Sequence, residues 1–154
     1  MELVPYLFFN GECENALSFY QKALGAKVPL LMRAKDSPVP PPEGKIPPGQ
    51  EDKIMHCEVQ IGDVRFMASD GMASGGPSFH GFSLSLTYSD RKKVDAAFEA
   101  LAKGGKIDMP LGETFWSPRF GMVTDRFGVQ WMITLPQVAP AKLQRKDAKR
   151  KVSA

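Results

Sequence analysis

The chain repeats a pattern. A β-rich run at residues 4–9 leads into a helical stripe over Cys13–Leu24, where Ala16, Phe19, Tyr20, Ala23 and Leu24 recur at i, i+3, i+4, i+7 and i+8. Gly25 is placed to end that helix. Far downstream, a second apolar run at 82–88 precedes Asp90, a good N-cap type. Val94, Ala97, Phe98 and Leu101 then repeat the stripe up to Gly104. The two helix-ending glycines lie 79 residues apart, and Tyr20 and Phe98 lie 78 apart. Three β-like runs follow each helix: 27–34, 53–61 and 64–69 in the first half, 106–111, 120–124 and 129–135 in the second. A pattern duplicated with little shared identity predicts one supersecondary unit, βαβββ, used twice. The fold class is α+β, two βαβββ modules with the helices on one face of the sheets.

A chain of 154 residues suits one domain or two small halves with a common core. The folded body is expected over residues 1–136, with modules at about 3–70 and 82–136. Residues 37–50 hold six of the thirteen prolines and read as a long loop, because proline removes backbone donors. Residues 71–81, with four glycines, read as the joint between modules. Residues 137–154 carry six basic side chains against Asp147 alone, a charge of +5 that leaves −2 on the body. This tail is expected to be basic, solvated and flexible. A slightly acidic body is not the footprint of a nucleic-acid binder. No apolar run approaches the ~20 residues of a membrane helix, and the first residues do not resemble a signal peptide. Two cysteines, Cys13 and Cys57, form neither a disulfide framework nor a zinc spacing. Reduced thiols and a cytoplasmic location are the expectation.

Strand alternation sorts side chains into two faces. Met55, Cys57, Val59 and Ile61 alternate with Ile54, His56, Glu58 and Gln60; Phe82, Leu84, Leu86 and Tyr88 alternate with Ser83, Ser85, Thr87 and Ser89; Val129, Trp131, Ile133 and Leu135 alternate with Gln130, Met132 and Thr134. The apolar series should pack under the helices, while the mixed series faces solvent or a concave cavity.

The stretch 113–134 reads as an aromatic loop, a strand, a tight turn at Asp125-Arg126-Phe127-Gly128 and a closing strand. With the duplicated pattern, Phe19-Tyr20, Leu24-Gly25 and the spacing Asp125-x-x-Gly128-x-x-Trp131, the chain resembles the vicinal oxygen chelate superfamily of glyoxalase I, extradiol dioxygenases and bleomycin-resistance proteins. That resemblance implies α+β modules forming a curved mixed sheet around a cavity. Pro5-Tyr6-Leu7, Phe9-Asn10-Gly11, Ser69-Asp70 and Glu113-Thr114-Phe115-Trp116 look like its PhnB-like branch, whose members sometimes carry a 3-demethylubiquinone-9 3-methyltransferase-like label. No Gly-x-Gly triplet occurs, and nothing is left over for a methyl-donor domain, so that label carries little chemical weight.

Metal-dependent members use His, Gln or Glu on four strands. The resemblance places those positions at Pro5, Ser69 (or Asp70), Ser83 and Thr134. Proline has no coordinating side chain, and hydroxyls are poor divalent-metal ligands beside imidazole or carboxylate. The expectation is therefore no metal and no cofactor.

Candidate catalytic residues are His56, which shares a strand face with Glu58, and Glu113, an acid beside aromatic walls that would be desolvated. The bland alternatives are a sheet-edge histidine, and a carboxylate tied to Arg119 or a backbone amide. Glu58, Met67, Ser69, Ser83, Phe115, Trp116, Met132 and Thr134 are the candidate substrate contacts. The aromatics could equally close over the core, and the methionines fill gaps in it. Trp131 reads as core, His80 as plain loop, and Asp70 as a turn cap. The expected function is small-molecule handling without the usual metal tetrad, its specific activity open. The alternatives are a non-catalytic, resistance-type binder and a dimeric interaction module. The resemblance implies a homodimer, since members commonly complete their cavities with a partner chain.

Overall fold

The computed structural model describes residues 1–39, 48–71 and 75–137. The basic tail and most of the proline-rich loop lie outside the described residues.

The element order is β1 (Tyr6–Phe8), α1 (Cys13–Leu24), β2 (Lys27–Arg33), β3 (Ile54–Ile61), β4 (Val64–Ser69), then β5 (Leu84–Thr87), α2 (Arg91–Ala102), β6 (Lys106–Gly112), β7 (Arg119–Thr124) and β8 (Gln130–Leu135). A short 3-10 turn, Ala34–Asp36, follows β2. Each βαβββ module makes a four-stranded sheet, ordered β1-β4-β3-β2 and β5-β8-β7-β6. The first strand of each pairs parallel with the last, Tyr6 opposite Met67 and Leu84 opposite Trp131, and the remaining pairs are antiparallel. The duplicated pattern therefore yields two mixed four-stranded sheets.

Both helices form where the stripes predict. α1 ends on Gly25, whose φ of 63° is left-handed and admits glycine without strain. α2 starts on Asp90, whose carboxylate accepts from Lys92 N at 2.7 Å. α1 has no such cap of its own, since Glu12 makes no side-chain cap bond. Its first amides are instead met by Asp70 at the end of β4, which accepts from Gly11 N and Cys13 N at 2.9 Å and from Ile54 N at 2.8 Å. The turn cap expected at Asp70 is thus a tie between β4, the α1 entry and β3.

The core is continuous across the modules: Leu7, Phe9, Tyr20, Val59 and Phe66 belong to one buried cluster with Val94, Leu101, Val123, Trp131 and Ile133. Each such side chain contributes roughly 1.5–3 kcal/mol of burial free energy. Gly121 lets α2 approach β7, because a Cβ there would sit 2.7 Å from Phe98 Cε2. Phe66 and Trp131 meet at 6.5 Å between ring centroids, and Tyr20 and Trp131 at 5.5 Å. The helix side of one sheet therefore packs toward the helix side of the other. The two remaining sheet faces look outward.

The alternation is broken in both sheets. Met32 pairs with His56, but Arg33 pairs with Ile54, so Met55 is the extra residue of a bulge in β3. Ile54 is consequently buried (1 %) and Met55 exposed (43 %), the reverse of the faces predicted for that pair. β6 is irregular in the same way, with Asp108 extra between Ile107 and Met109.

The Asp125–Gly128 turn does more than reverse the chain. Asp125 is 3 % exposed. Its carboxylate accepts from Phe127 N at 2.9 Å and Val129 N at 3.1 Å within the turn. It also accepts from the Trp131 indole at 2.8 Å and, across the modules, from the Tyr20 hydroxyl at 2.6 Å. Burial pushes its carboxyl above the usual range, with the four hydrogen bonds opposing. Tyr20 is pushed well above the usual phenol range, first by burial and then by the Asp125 charge.

Candidate functional site

The outward face of the first sheet is built from register. One row runs Leu30–Glu58–Met67–Tyr6, and beside it Met32 faces His56 while Ser69 faces Phe8. Tyr6 and Phe8 are 37 % and 54 % exposed although both are aromatic. Their rings lie 5.0 Å apart, and the Tyr6 ring lies 5.6 Å from that of His56. The Tyr6 hydroxyl is 3.0 Å from His56 Nδ1. Glu58 pairs with Arg65 at 3.4 Å, and Arg65 also binds Glu2 at 2.7 Å. His56 and Glu58 are therefore not coupled to each other: His56 reaches Tyr6 on β1, across β4, and Glu58 pairs with Arg65 on the adjacent β4.

The second sheet's outward face has a different chemistry. Its rows are Phe120–Thr134–Thr87, Met109–Met122–Met132–Ser85 and Thr124–Gln130. The Ser83 hydroxyl donates to Gln130 Oε1. Asp108, turned onto this face by its bulge, accepts from Thr124 at 2.5 Å and Gln130 at 3.4 Å. The Thr124 hydrogen bond is the largest cause holding the Asp108 carboxyl below its ordinary range. Over one end sits the aromatic loop. Trp116 packs edge-on against Phe120 at 5.5 Å, and Phe115 against Trp116 at 4.7 Å. Buried Ser117 pins this loop by donating to Leu135 O at 2.6 Å.

The predicted residues thus divide between faces. His56, Glu58, Met67 and Ser69 belong to the first, and Ser83, Phe115, Trp116, Met132 and Thr134 to the second. Glu113 is exposed, so the desolvation expected of it does not arise within one chain. Its expected partner Arg119 instead binds Asp95 of α2 at 2.7 Å. Phe115 is 89 % exposed and so does not close over the core. Tyr6, Phe8, Arg65, Asp108 and Gln130 were not singled out from sequence. Tyr6 and Phe8 alternate with buried Leu7, but in a three-residue strand too short to show periodicity.

The inferred metal positions can now be tested against side chains. On β1 the outward residue is Tyr6, since Pro5 has the parity of buried Leu7; the first position is corrected by one residue. The outward donors are then a phenol and three hydroxyls at Ser69, Ser83 and Thr134. Ser69 is occupied by Gly71 N and Ser83 by Gln130. This donor set does not fit a divalent metal. Among the described residues no three His, Cys, Asp or Glu side chains gather into a metal-holding group.

Cys13 and Cys57 are both buried, with sulfurs 3.9 Å apart. The hydrogen bond between them, followed by burial, pushes the Cys13 thiol far up, and the same bond lowers that of Cys57; it is their burial that keeps either from being an exposed nucleophile. His80 is exposed in an irregular segment. An open groove of about 790 Å³ runs along α1 and the β7–β8 turn, past Asn15, Lys22 and Arg126. It contains none of the candidate residues.

The chain belongs to the glyoxalase/bleomycin resistance protein/dioxygenase superfamily, whose model matches residues 2–133. It is 39% identical to protein YjdN of Escherichia coli (strain K12) over 149 residues, covering 92% of this chain and 100% of that one. Its structure is similar to that of protein PA1353 from Pseudomonas aeruginosa, with a TM-score of 0.76 at 40% identity over 89% of this chain and 98% of that one. It is also similar to a putative 3-demethylubiquinone-9 3-methyltransferase, PhnB protein, from Bacillus cereus. There the TM-score is 0.71 at 28% identity over 88% and 99% of the two chains. No helix among the described residues is long and apolar enough to cross a membrane.

Proposed function

We propose that this superfamily member binds a small, oxygen-bearing organic molecule in a cavity formed by two copies of the chain. In that arrangement the first sheet's outward face on one copy meets the second sheet's outward face on the other. One observation carries this reading: each module presents a face of aromatic, thioether and hydroxyl side chains that the chain's own fold leaves uncovered, with Phe8 54 %, Trp116 47 % and Phe115 89 % exposed. Such a surface is costly to leave in water and suits a ligand or partner. His56 and Glu58 would supply polar contacts from one copy, and Ser83, Met132, Thr134 and Trp116 from the other. The exposed carboxylate of Glu113 would come within reach of a ligand only in such a pair, where it could act with His56 in proton transfer.

The test combines sedimentation equilibrium with a thermal-shift panel of small aromatic and oxygenated compounds. A dimer is expected, with ligand stabilisation lost in both His56→Ala and Trp116→Ala although these residues sit in different modules. A monomer, or stabilisation that survives both substitutions, would overturn the reading. Glu113→Gln then separates catalysis from sequestration: turnover that disappears while affinity remains marks an enzyme.

A further inference from the structure

The fold has no structural need for the bond between Tyr6 and His56. Their strands are not neighbours, because β4 lies between β1 and β3. Two strand spacings separate the backbones by about 10 Å, so both side chains lean across β4 to bring the hydroxyl and Nδ1 to 3.0 Å. Ser69, the short β4 residue opposite Phe8, is 3 % exposed on this outward face, as expected where rings close over it. Neither member has another hydrogen-bond partner among the described residues. Two partly exposed side chains that span a strand to meet each other leave water's hydrogen bonds for one bond, which yields little net stability.

What the bond does accomplish is a choice of tautomer. A neutral imidazole carries its proton on one nitrogen and a lone pair on the other. A phenol is a strong donor and a weak acceptor, because its oxygen lone pair is delocalised into the ring. Tyr6 therefore donates to Nδ1, and the His56 proton resides on Nε2. We infer that Tyr6 is a positioning residue that fixes His56 as the Nε2–H tautomer, so that the outward face offers a hydrogen-bond donor to a carbonyl or ether oxygen of a flat, neutral ligand. A neutral ligand and not an anion follows from the surroundings: Arg65, the nearby cation, is already paired with both Glu58 and Glu2. The apolar part of the ligand lies on Tyr6, Phe8 and Met67. The ligand half of this inference rests on the binding function proposed above; the tautomer half does not.

The chain has two histidines, so long-range ¹H–¹⁵N correlation at about pH 8, where imidazole is neutral, reads His56 with exposed His80 as an internal control. His56 is expected almost wholly as Nε2–H, and Tyr6→Phe should move it to the mixture shown by His80 while His80 stays put. A mixture or Nδ1–H in the wild type, or no response to Tyr6→Phe, overturns the positioning role. The ligand half is read with acetophenone and ethylbenzene, which differ by one carbonyl oxygen. Acetophenone should bind about fivefold tighter, and the difference should narrow in Tyr6→Phe, where only part of the population carries the proton on Nε2. Equal affinity, or binding of neither compound, overturns the donor role of Nε2 and leaves the tautomer result standing by itself. A thermal midpoint for Tyr6→Phe within about 2 °C of wild type shows that folding is not what changed.

Discussion

Asp70 and Asp125 each follow directly after a strand, and each is buried, at 6 % and 3 % exposure. Their partners differ. Asp70 accepts only backbone amides, all from its own module, and so holds α1, β3 and β4 of the first unit in place. Asp125 accepts two amides of its own turn, the indole of Trp131 and the hydroxyl of Tyr20 from the other unit. Within a module the carboxylate answers a need every backbone has. Between modules it depends on two particular side chains. The first contact would tolerate much sequence change around it, and the second would not.

The sharpest way to break this contrast is Asp125→Ala. It leaves a buried hydroxyl, a buried indole N–H and two amides without their acceptor, and should cost about 3–5 kcal/mol in urea unfolding. A loss under about 1 kcal/mol would show that the modules are held by apolar packing alone. Asp70→Ala should follow at about 2–3 kcal/mol. Its effect should add to that of Tyr20→Phe, since the two share no partner, whereas Asp125→Ala with Tyr20→Phe should show a coupling of about 1–3 kcal/mol. Additivity in both pairs would erase the distinction.

Tyr20→Phe alone should cost about 1–2 kcal/mol and change the alkaline limb of stability. Below about pH 10 the phenol is protonated in both folded and unfolded chains. Above that, the unfolded chain releases a proton that buried Tyr20 retains, so stability falls as pH rises. Equilibrium unfolding between pH 9 and 11 should show a shallower slope in Tyr20→Phe, the remainder coming from Tyr88, which burial also raises. The smallest effect is expected at the outward face. Phe115→Ser should alter the unfolding free energy of the monomer by under about 0.5 kcal/mol while weakening self-association.

Much of the architecture was legible because it is periodic. The bounds of α1, the Asp90 cap, the two sets of strands and the outward parity of His56, Glu58, Ser83 and Thr134 all follow from patterns of 3.6 and 2. What was not legible is contact between distant residues. Tyr6 meets His56 50 positions away, and Asp70 reaches Cys13 57 positions away; no local pattern announces either. The bulge at Met55 was equally hidden. Ile54 and Met55 are both apolar, so nothing in their chemistry says which one yields its place in the alternation. At the candidate site, the sequence shows Glu113 only beside its aromatic neighbours, and those neighbours are themselves exposed.

The Tyr20–Asp125 bond also sets an order of events during synthesis. Its two ends are 105 positions apart. At about 5–20 residues per second, a ribosome needs roughly 5–20 seconds to deliver the carboxylate after the phenol. Throughout that interval the tyrosine hydroxyl on the apolar side of the nascent first module has only water to accept from it. That side, with Phe66 and Tyr20, is also where the second module must dock, so it stays open to wrong partners until the last hairpin emerges. A chaperone would meet this protein as a half-finished surface with one hydroxyl waiting.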